Sequence, residues 1–179
     1  MRFFYGIFLC LFVVIGSFYL CFKPNPYELK GVSENNSTIC LKNFNKDYKI
    51  VYFGYLYCPD VCPSALSTIS KVLDEIARDD IKLILVTLDP ERDTAKMLND
   101  YVKNFSQNSI GMVLNDLETT AKNYGVKYKK IMMPDSAMIY SIAHSSSFYL
   151  LDKKGKFHSE ISNLTEEDIK EAILQMINK

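Results

Sequence analysis

Two cysteines and a histidine are the residues best equipped for chemistry. Cys58 and Cys62 are separated by Pro59-Asp60-Val61, and His144 is one of only two histidines in the chain. Two thiolates and an imidazole form a soft three-ligand set. Softness favours copper(I), and copper(II) fits with one added ligand. Zinc held by two cysteines and one histidine, with an open position, is the competing metal; no fourth ligand is evident that would close a structural zinc site. The cysteine pair can also cycle between dithiol and disulfide without any metal. His158 sits in a polar segment and is expected to be solvated.

The elements around these residues set their placement. Lys49 to Tyr55 is apolar and β-rich and reads as a buried strand. Pro63 to Arg78 reads as a helix, with Leu66, Ile69, Leu73 and Ile76 at helical spacing and Pro63 in a first turn. The cysteine pair thus falls at a strand-to-helix junction, where the helix dipole is expected to lower thiol pKa values. An i,i+4 spacing on the first helical turn is expected to aim both sulfurs the same way. Lys82 to Leu88 is a second strand, Thr94 to Phe105 a helix, Gly111 to Leu114 a short strand, and Leu117 to Tyr124 a helix stopped by Gly125. Residues 129–143 read as an irregular insertion. Ser147 to Leu151 and Phe157 to Ile161 form a hairpin about Asp152–Gly155, and Thr165 caps a last helix. Strand–helix alternation followed by a hairpin predicts an α/β, thioredoxin-like sandwich with a β-hairpin addition. In that fold the start of the strand after His144 faces the cysteine loop. Ordinary thioredoxins carry a proline there; here none lies between Pro134 and the strand. Asp89-Pro90-Glu91-Arg92-Asp93 follows the second strand. It reads as a charged rim beside the site, or as a turn whose charges pair locally and whose Asp93 helps to cap the next helix. Tyr52, Phe53, Tyr55 and Tyr57 read as strand packing, with Phe53 and Tyr55 opposite to Tyr52.

Residues 1–23 read as a transmembrane anchor. Phe3 to Phe22 carries no charge and as a helix spans about 30 Å, the thickness of a bilayer core. Cys10 and Cys21 are then apolar members of that helix. Leu20 before Cys21 argues against a lipidation site, and no small-residue cleavage motif follows. The short charged N-terminus is expected to stay in the cytoplasm, placing residues 24–179 outside. The lack of an Arg-rich transit peptide favours a bacterial membrane over a mitochondrial one. Residues 24–46 read as a linker and an irregular approach to the domain, and residues 47–179 as the domain itself. Lys+Arg and Asp+Glu number 21 each in a chain of 179 residues, which argues against nucleic acid as a partner. The odd count of five cysteines is not that of a disulfide framework, and Cys40 carries no assigned role.

Three blocks resemble the Sco/SenC family of copper-binding proteins of oxidase assembly. Tyr52-Phe53-Gly54-Tyr55-Leu56-Tyr57-Cys58-Pro59-Asp60-Val61-Cys62-Pro63 is similar to the family's cysteine signature. Asp89-Pro90-Glu91-Arg92-Asp93-Thr94 resembles its second block, and His144-Ser145-Ser146 with Phe148 to Asp152 and Gly155 its third. The resemblance covers residue 40 to the C-terminus. It implies a thioredoxin-like domain behind one membrane anchor, with copper bound by Cys58, Cys62 and His144. It also implies assistance in maturing the dinuclear copper centre of cytochrome c oxidase subunit II, a metallochaperone's task rather than an enzyme's. A thiol–disulfide oxidoreductase that reduces partner cysteines before metallation is the alternative.

Overall fold

The computed structural model describes residues 25–34 and 37–178. The expected membrane helix lies outside them, and no helix among the described residues is long and apolar enough to cross a membrane.

The strands are β1 (Lys30–Val32), β2 (Thr38–Cys40), β3 (Tyr48–Gly54), β4 (Ile81–Thr87), β5 (Ser109–Leu114), β6 (Tyr128–Met132), β7 (Tyr140–His144), β8 (Phe148–Leu151) and β9 (Phe157–Ile161). The helices are α1 (Val61–Ile76), α2 (Ala95–Val102), α3 (Leu117–Tyr124) and α4 (Glu166–Ile177). Seven strands form one sheet in the order β2-β1-β5-β4-β3-β8-β9. The β5-β4-β3 centre is parallel and the flanking pairs are antiparallel. β3 and β4, central and covered on both faces, are almost wholly apolar, as buried parallel strands must be.

Alternation assigns the helices to faces. Tyr52 pairs with Leu85, and Leu85 with Gly111, so these three share one side. A Cβ on Gly111 would lie 2.4 Å from Leu98 Cβ of α2, and one on Gly54 would lie 3.1 Å from Cys62 Sγ of α1. α1 and α2 therefore cover this side, and α4 packs on α1. Phe53 points the other way, its ring 5.1 Å from that of Tyr124 on α3 and 5.8 Å from that of Tyr149. The Tyr124 hydroxyl donates to the Tyr27 carbonyl at 2.7 Å, fixing the N-terminal segment over this second face. The result is the three-layer α/β sandwich expected from the element order.

Two expectations need correction. Residues 24–46 are not merely a linker: β1 and β2 form a hairpin that extends the sheet through the β1–β5 pairing, followed by a 3-10 turn at Leu41–Phe44. These three-residue strands are too short to show a period. Residues 129–143 are not irregular: β6 and β7 form a separate two-stranded ladder. Its outer strand is exposed throughout, so no buried apolar face marked it in the sequence.

Candidate metal centre

β3 ends at Gly54, and the chain turns through Tyr55 to Cys58, whose N–H donates to the Tyr55 carbonyl at 3.3 Å. α1 begins at Val61, two residues before the expected Pro63. Pro63 remains in the first turn, where its missing N–H is not needed. Cys62 is thus on the helix and Cys58 before it, so the pair is not an i,i+4 pair on one helical turn. The Asp60 side chain makes no cap bond. Instead the Cys62 N–H donates to Cys58 Sγ at 3.3 Å, so a sulfur takes one of the orphan donors at the helix start.

His144 closes β7 rather than opening the next strand. Its Nε2 lies 3.4 Å from Cys62 Sγ. The ligand atoms of Cys58, Cys62 and His144 all lie within 4.8 Å of one another. His144 Nδ1 is 2.9 Å from the Ser145 carbonyl. A carbonyl only accepts, so Nδ1 carries the proton and Nε2 turns its lone pair to the sulfurs. An imidazole oriented by its second nitrogen in this way is the arrangement metal-binding histidines use. Both sulfurs are free thiols. Cys62 is buried, whereas Cys58 and His144 are half-buried, so the trio opens to solvent on one side.

The pocket is dry. Tyr52 and Tyr55 set their rings edge-on to the imidazole at centroid distances of 6.5 and 5.9 Å. Tyr52 shares a hydrogen bond with Ser146 at 2.9 Å, and Tyr55 with Ser141 at 3.1 Å. Tyr55 therefore stands with Tyr52 beside His144, not on Phe53's side; β3 ends at Gly54, and strand alternation ends with it. Burial pushes the Cys62 thiol up to about 12, with a further rise from its hydrogen bond to Cys58. Burial also holds His144 below the usual histidine range. The expected lowering by the helix dipole is overridden at Cys62, because desolvation of a buried thiolate outweighs the dipole.

Gly54 is needed for this packing. A Cβ there would lie 3.0 Å from Tyr52 Cε1 and 3.1 Å from Cys62 Sγ. Gly54→Ala is expected to cost about 1–3 kcal/mol, as overpacked core positions do. The measurement is the denaturant midpoint; an unchanged midpoint would mean that the sulfur has room to shift.

The Asp89–Asp93 block holds the site together. Asp89 and Asp93 are buried, at 1% and 3% exposure. Asp89 Oδ2 accepts from Arg92 Nε at 2.5 Å, and Oδ1 from the Tyr140 hydroxyl at 2.8 Å. Arg92 Nη1 donates to the carbonyls of Met138 and Tyr140 at 3.1 and 3.2 Å. The guanidinium carbon lies 3.7 Å from the Tyr140 ring centre and 4.7 Å from that of Tyr57. Asp93 Oδ2 accepts from the Thr87 hydroxyl at 2.6 Å and from the Leu56 N–H at 3.1 Å. Thus Asp93 fastens the cysteine loop, while Asp89 and Arg92 fasten the hairpin that carries His144. The expected local Asp89–Arg92 pairing is present. The expected cap is not Asp93: Thr94 caps α2 by accepting from the Met97 N–H. Sequence reading did not connect this block to Tyr140, because the contacts cross about fifty positions and leave no local pattern.

A cysteine pair between the first central strand and its helix, with a histidine closing over it from a later strand, defines a thioredoxin-like domain bearing a soft three-ligand centre. The sequence model of the SCO1/SenC family matches residues 24–178, and the chain belongs to that family. It is 30% identical over 136 residues to an SCO2-like protein of Rickettsia prowazekii, covering 74% of this chain and 65% of that protein. It spans 40–65% of the length of eight curated relatives that it matches. Among solved structures, Arabidopsis thaliana ScoI with copper bound superposes with a TM-score of 0.75 at 27% identity, covering 84% of this chain and 96% of that one. Bradyrhizobium japonicum ScoI with copper bound gives 0.70 at 28% identity, covering 83% and 97%.

Proposed function

We propose that the chain is a membrane-anchored copper metallochaperone that serves the dinuclear copper centre of cytochrome c oxidase, with subunit II as its acceptor. The observation that carries this reading is the convergence of two sulfurs and one oriented imidazole nitrogen within 4.8 Å at a half-open site. The donor set is soft, matching copper(I) in a three-coordinate site. A half-exposed Cys58 beside a buried Cys62 suits a cargo ion: an acceptor thiol can displace Cys58 first while Cys62 still holds the metal. The copper-bound relatives agree with this assignment. Residues 3–22 supply the anchor in a bacterial inner membrane, with the domain in the periplasm.

Copper binding is expected to weaken as pH falls. The buried Cys62 thiol, raised to about 12, is protonated at neutral pH, so the metal must displace its proton. That proton alone lowers the apparent affinity about tenfold for each unit of pH lost. His144, held below the usual range, competes with protons only at pH values under that range. Chelator competition between pH 6 and 8 measures the slope, and a flat profile would mean that Cys62 is not a ligand.

Transfer is the functional test. Full-length protein loaded with copper(I) is mixed with metal-free oxidase subunit II, the mixture is oxidised by one electron with ferricyanide, and the visible absorption of the mixed-valence dinuclear centre is read. Appearance of that centre with wild type and its absence with His144→Ala is the expected result. A second reading, thiol–disulfide exchange, is favoured by the proximity of the two free sulfurs, with Cys58 accessible as the attacking thiol. If the metal-free protein reduces oxidised subunit II, and His144→Ala does so equally well, that reading replaces the first.

A further inference from the structure

The β8–β9 hairpin turns at Asp152-Lys153-Lys154-Gly155-Lys156, at the end of the sheet remote from the cysteines. Leu151 pairs with Lys49 near the start of β3, whereas the cysteine loop follows Gly54 at its finish. The turn is tightly closed. The Asp152 N–H donates to the Lys156 carbonyl at 2.9 Å, and the Gly155 N–H to the Asp152 carbonyl at 2.9 Å. Asp152 Oδ1 accepts from the N–H groups of Lys154 and Lys156, each at 2.8 Å, so the one acid of the turn is engaged by its own backbone. Lys49 Nζ donates to the carbonyls of Asp152 and Lys153 at 3.3 and 2.7 Å. Lys153 Nζ pairs with Asp80 at 2.7 Å. Lys154 and Lys156 are exposed and form no ion pair among the described residues. Lys153, Lys154, Lys156 and His158 line one cleft of about 430 Å³.

The chain enters the domain at this same turn. Asn25 Nδ2 donates to the carbonyl of Gly155, which stands between Lys154 and Lys156, at 2.8 Å. Asn25 Oδ1 accepts from the Tyr27 N–H at 3.1 Å, and the Tyr27 ring stacks on Phe157 at a centroid distance of 4.6 Å. The uncharged run ends at Phe22, three residues before Asn25. Three residues span at most about 11 Å, and the headgroup layer on one side of a bilayer is about 5–8 Å thick. With residues 3–22 in the bilayer, the turn is held within the headgroups or just above them. Charges act over about 8 Å at physiological ionic strength, so Lys154 and Lys156 lie in the field of the lipid phosphates.

We propose that the β8–β9 turn is a docking surface for anionic phospholipid headgroups, with Lys154 and Lys156 as its principal contacts. The inference rests on the membrane anchor proposed above. The two lysines have no acid of their own to satisfy them, and the chain's exit sets them beside the bilayer. The anchor makes the encounter intramolecular, so a weak attraction at each lysine is enough to populate the docked state. Docking fixes the tilt of the domain. β3 carries seven residues from this end of the sheet to the other, about 20 Å. The centre of Cys58, Cys62 and His144 is then held on the side facing away from the bilayer, open to an acceptor that stands out of the membrane.

The test places the full-length protein in nanodiscs containing a phosphatidylcholine with a nitroxide on its headgroup. One disc is otherwise phosphatidylcholine alone, and the other has added phosphatidylglycerol. Broadening of backbone amide resonances reads the distance to the headgroups. The amides of residues 153–157 are expected to broaden more in the anionic disc, and those of Ser141 to His144 in neither. Lys154→Gln/Lys156→Gln should return residues 153–157 to the neutral-disc level. At about fivefold per lysine near an anionic surface, the ratio of docked to undocked protein falls roughly 25-fold. Lys127→Gln/Lys129→Gln removes the same charge from exposed positions on the His144 ladder, and should leave the broadening as in wild type. Equal broadening in the two discs, or a Lys154→Gln/Lys156→Gln variant that broadens like wild type, overturns the proposal. Protein that joins neither disc overturns the anchor itself, so the two failures are told apart.

Discussion

Cys62→Ser is expected to lower copper(I) affinity by more than about 100-fold while the domain stays folded. Loss of a group that merely orients a metal ligand costs about 10–100-fold, and loss of a thiolate ligand costs more. A serine hydroxyl is hard, and it keeps its proton where the thiol gives one up. The fold has little reason to suffer. Serine is close in shape to cysteine, and its hydroxyl can donate to His144 Nε2, which lies 3.4 Å from the sulfur. Chelator competition reads the affinity, and thermal unfolding of the metal-free protein serves as the control. Full copper(I) affinity with serine at position 62 would remove Cys62 from the ligand set.

Arg92→Met is expected to have the largest effect on stability. Asp89 is buried at 1% exposure, and its Oδ2 has Arg92 as its cationic partner. Removing one member of a buried pair costs about 3–5 kcal/mol, because the remaining charge is left uncompensated. The carbonyls of Met138 and Tyr140 lose the Arg92 Nη1 donor in the same step. For a domain of this size each kcal/mol lowers the unfolding midpoint by about 2–4 °C, so a fall of roughly 6–20 °C is expected. Copper affinity should fall as well, since the hairpin holding His144 loosens. The double variant Asp89→Asn/Arg92→Met should recover part of the stability, because no bare charge remains. A midpoint within 2 °C of wild type for Arg92→Met alone, under the low end of that per-kcal/mol scale, would show that the clamp holds nothing.

The sequence made the central sandwich legible because β3, β4 and α1 carry strong periodic signals and are buried as those signals require. The cysteine loop was placed correctly between β3 and α1, and the histidine just ahead of the β8 strand. What stayed hidden had weak local signals. The β1–β2 hairpin has three-residue strands. The β6–β7 ladder has an outer strand without a buried face. The roles of Asp89, Arg92 and Asp93 depend on contacts with Leu56, Met138 and Tyr140 that only the folded chain brings together. The raised Cys62 thiol is hidden from the sequence for a related reason. The helix dipole can be read from position along the chain, whereas desolvation depends on Tyr52 and the other side chains packed around the sulfur.

The identity of the ligands is tested most directly by X-ray absorption at the copper edge on full-length protein carrying one equivalent of copper(I). A three-coordinate ion with two sulfur scatterers and one imidazole nitrogen is predicted, and the imidazole signal should vanish in His144→Ala. An ion surrounded by sulfur alone, or an imidazole signal that survives His144→Ala, would contradict the assignment of Cys58, Cys62 and His144 as the copper centre.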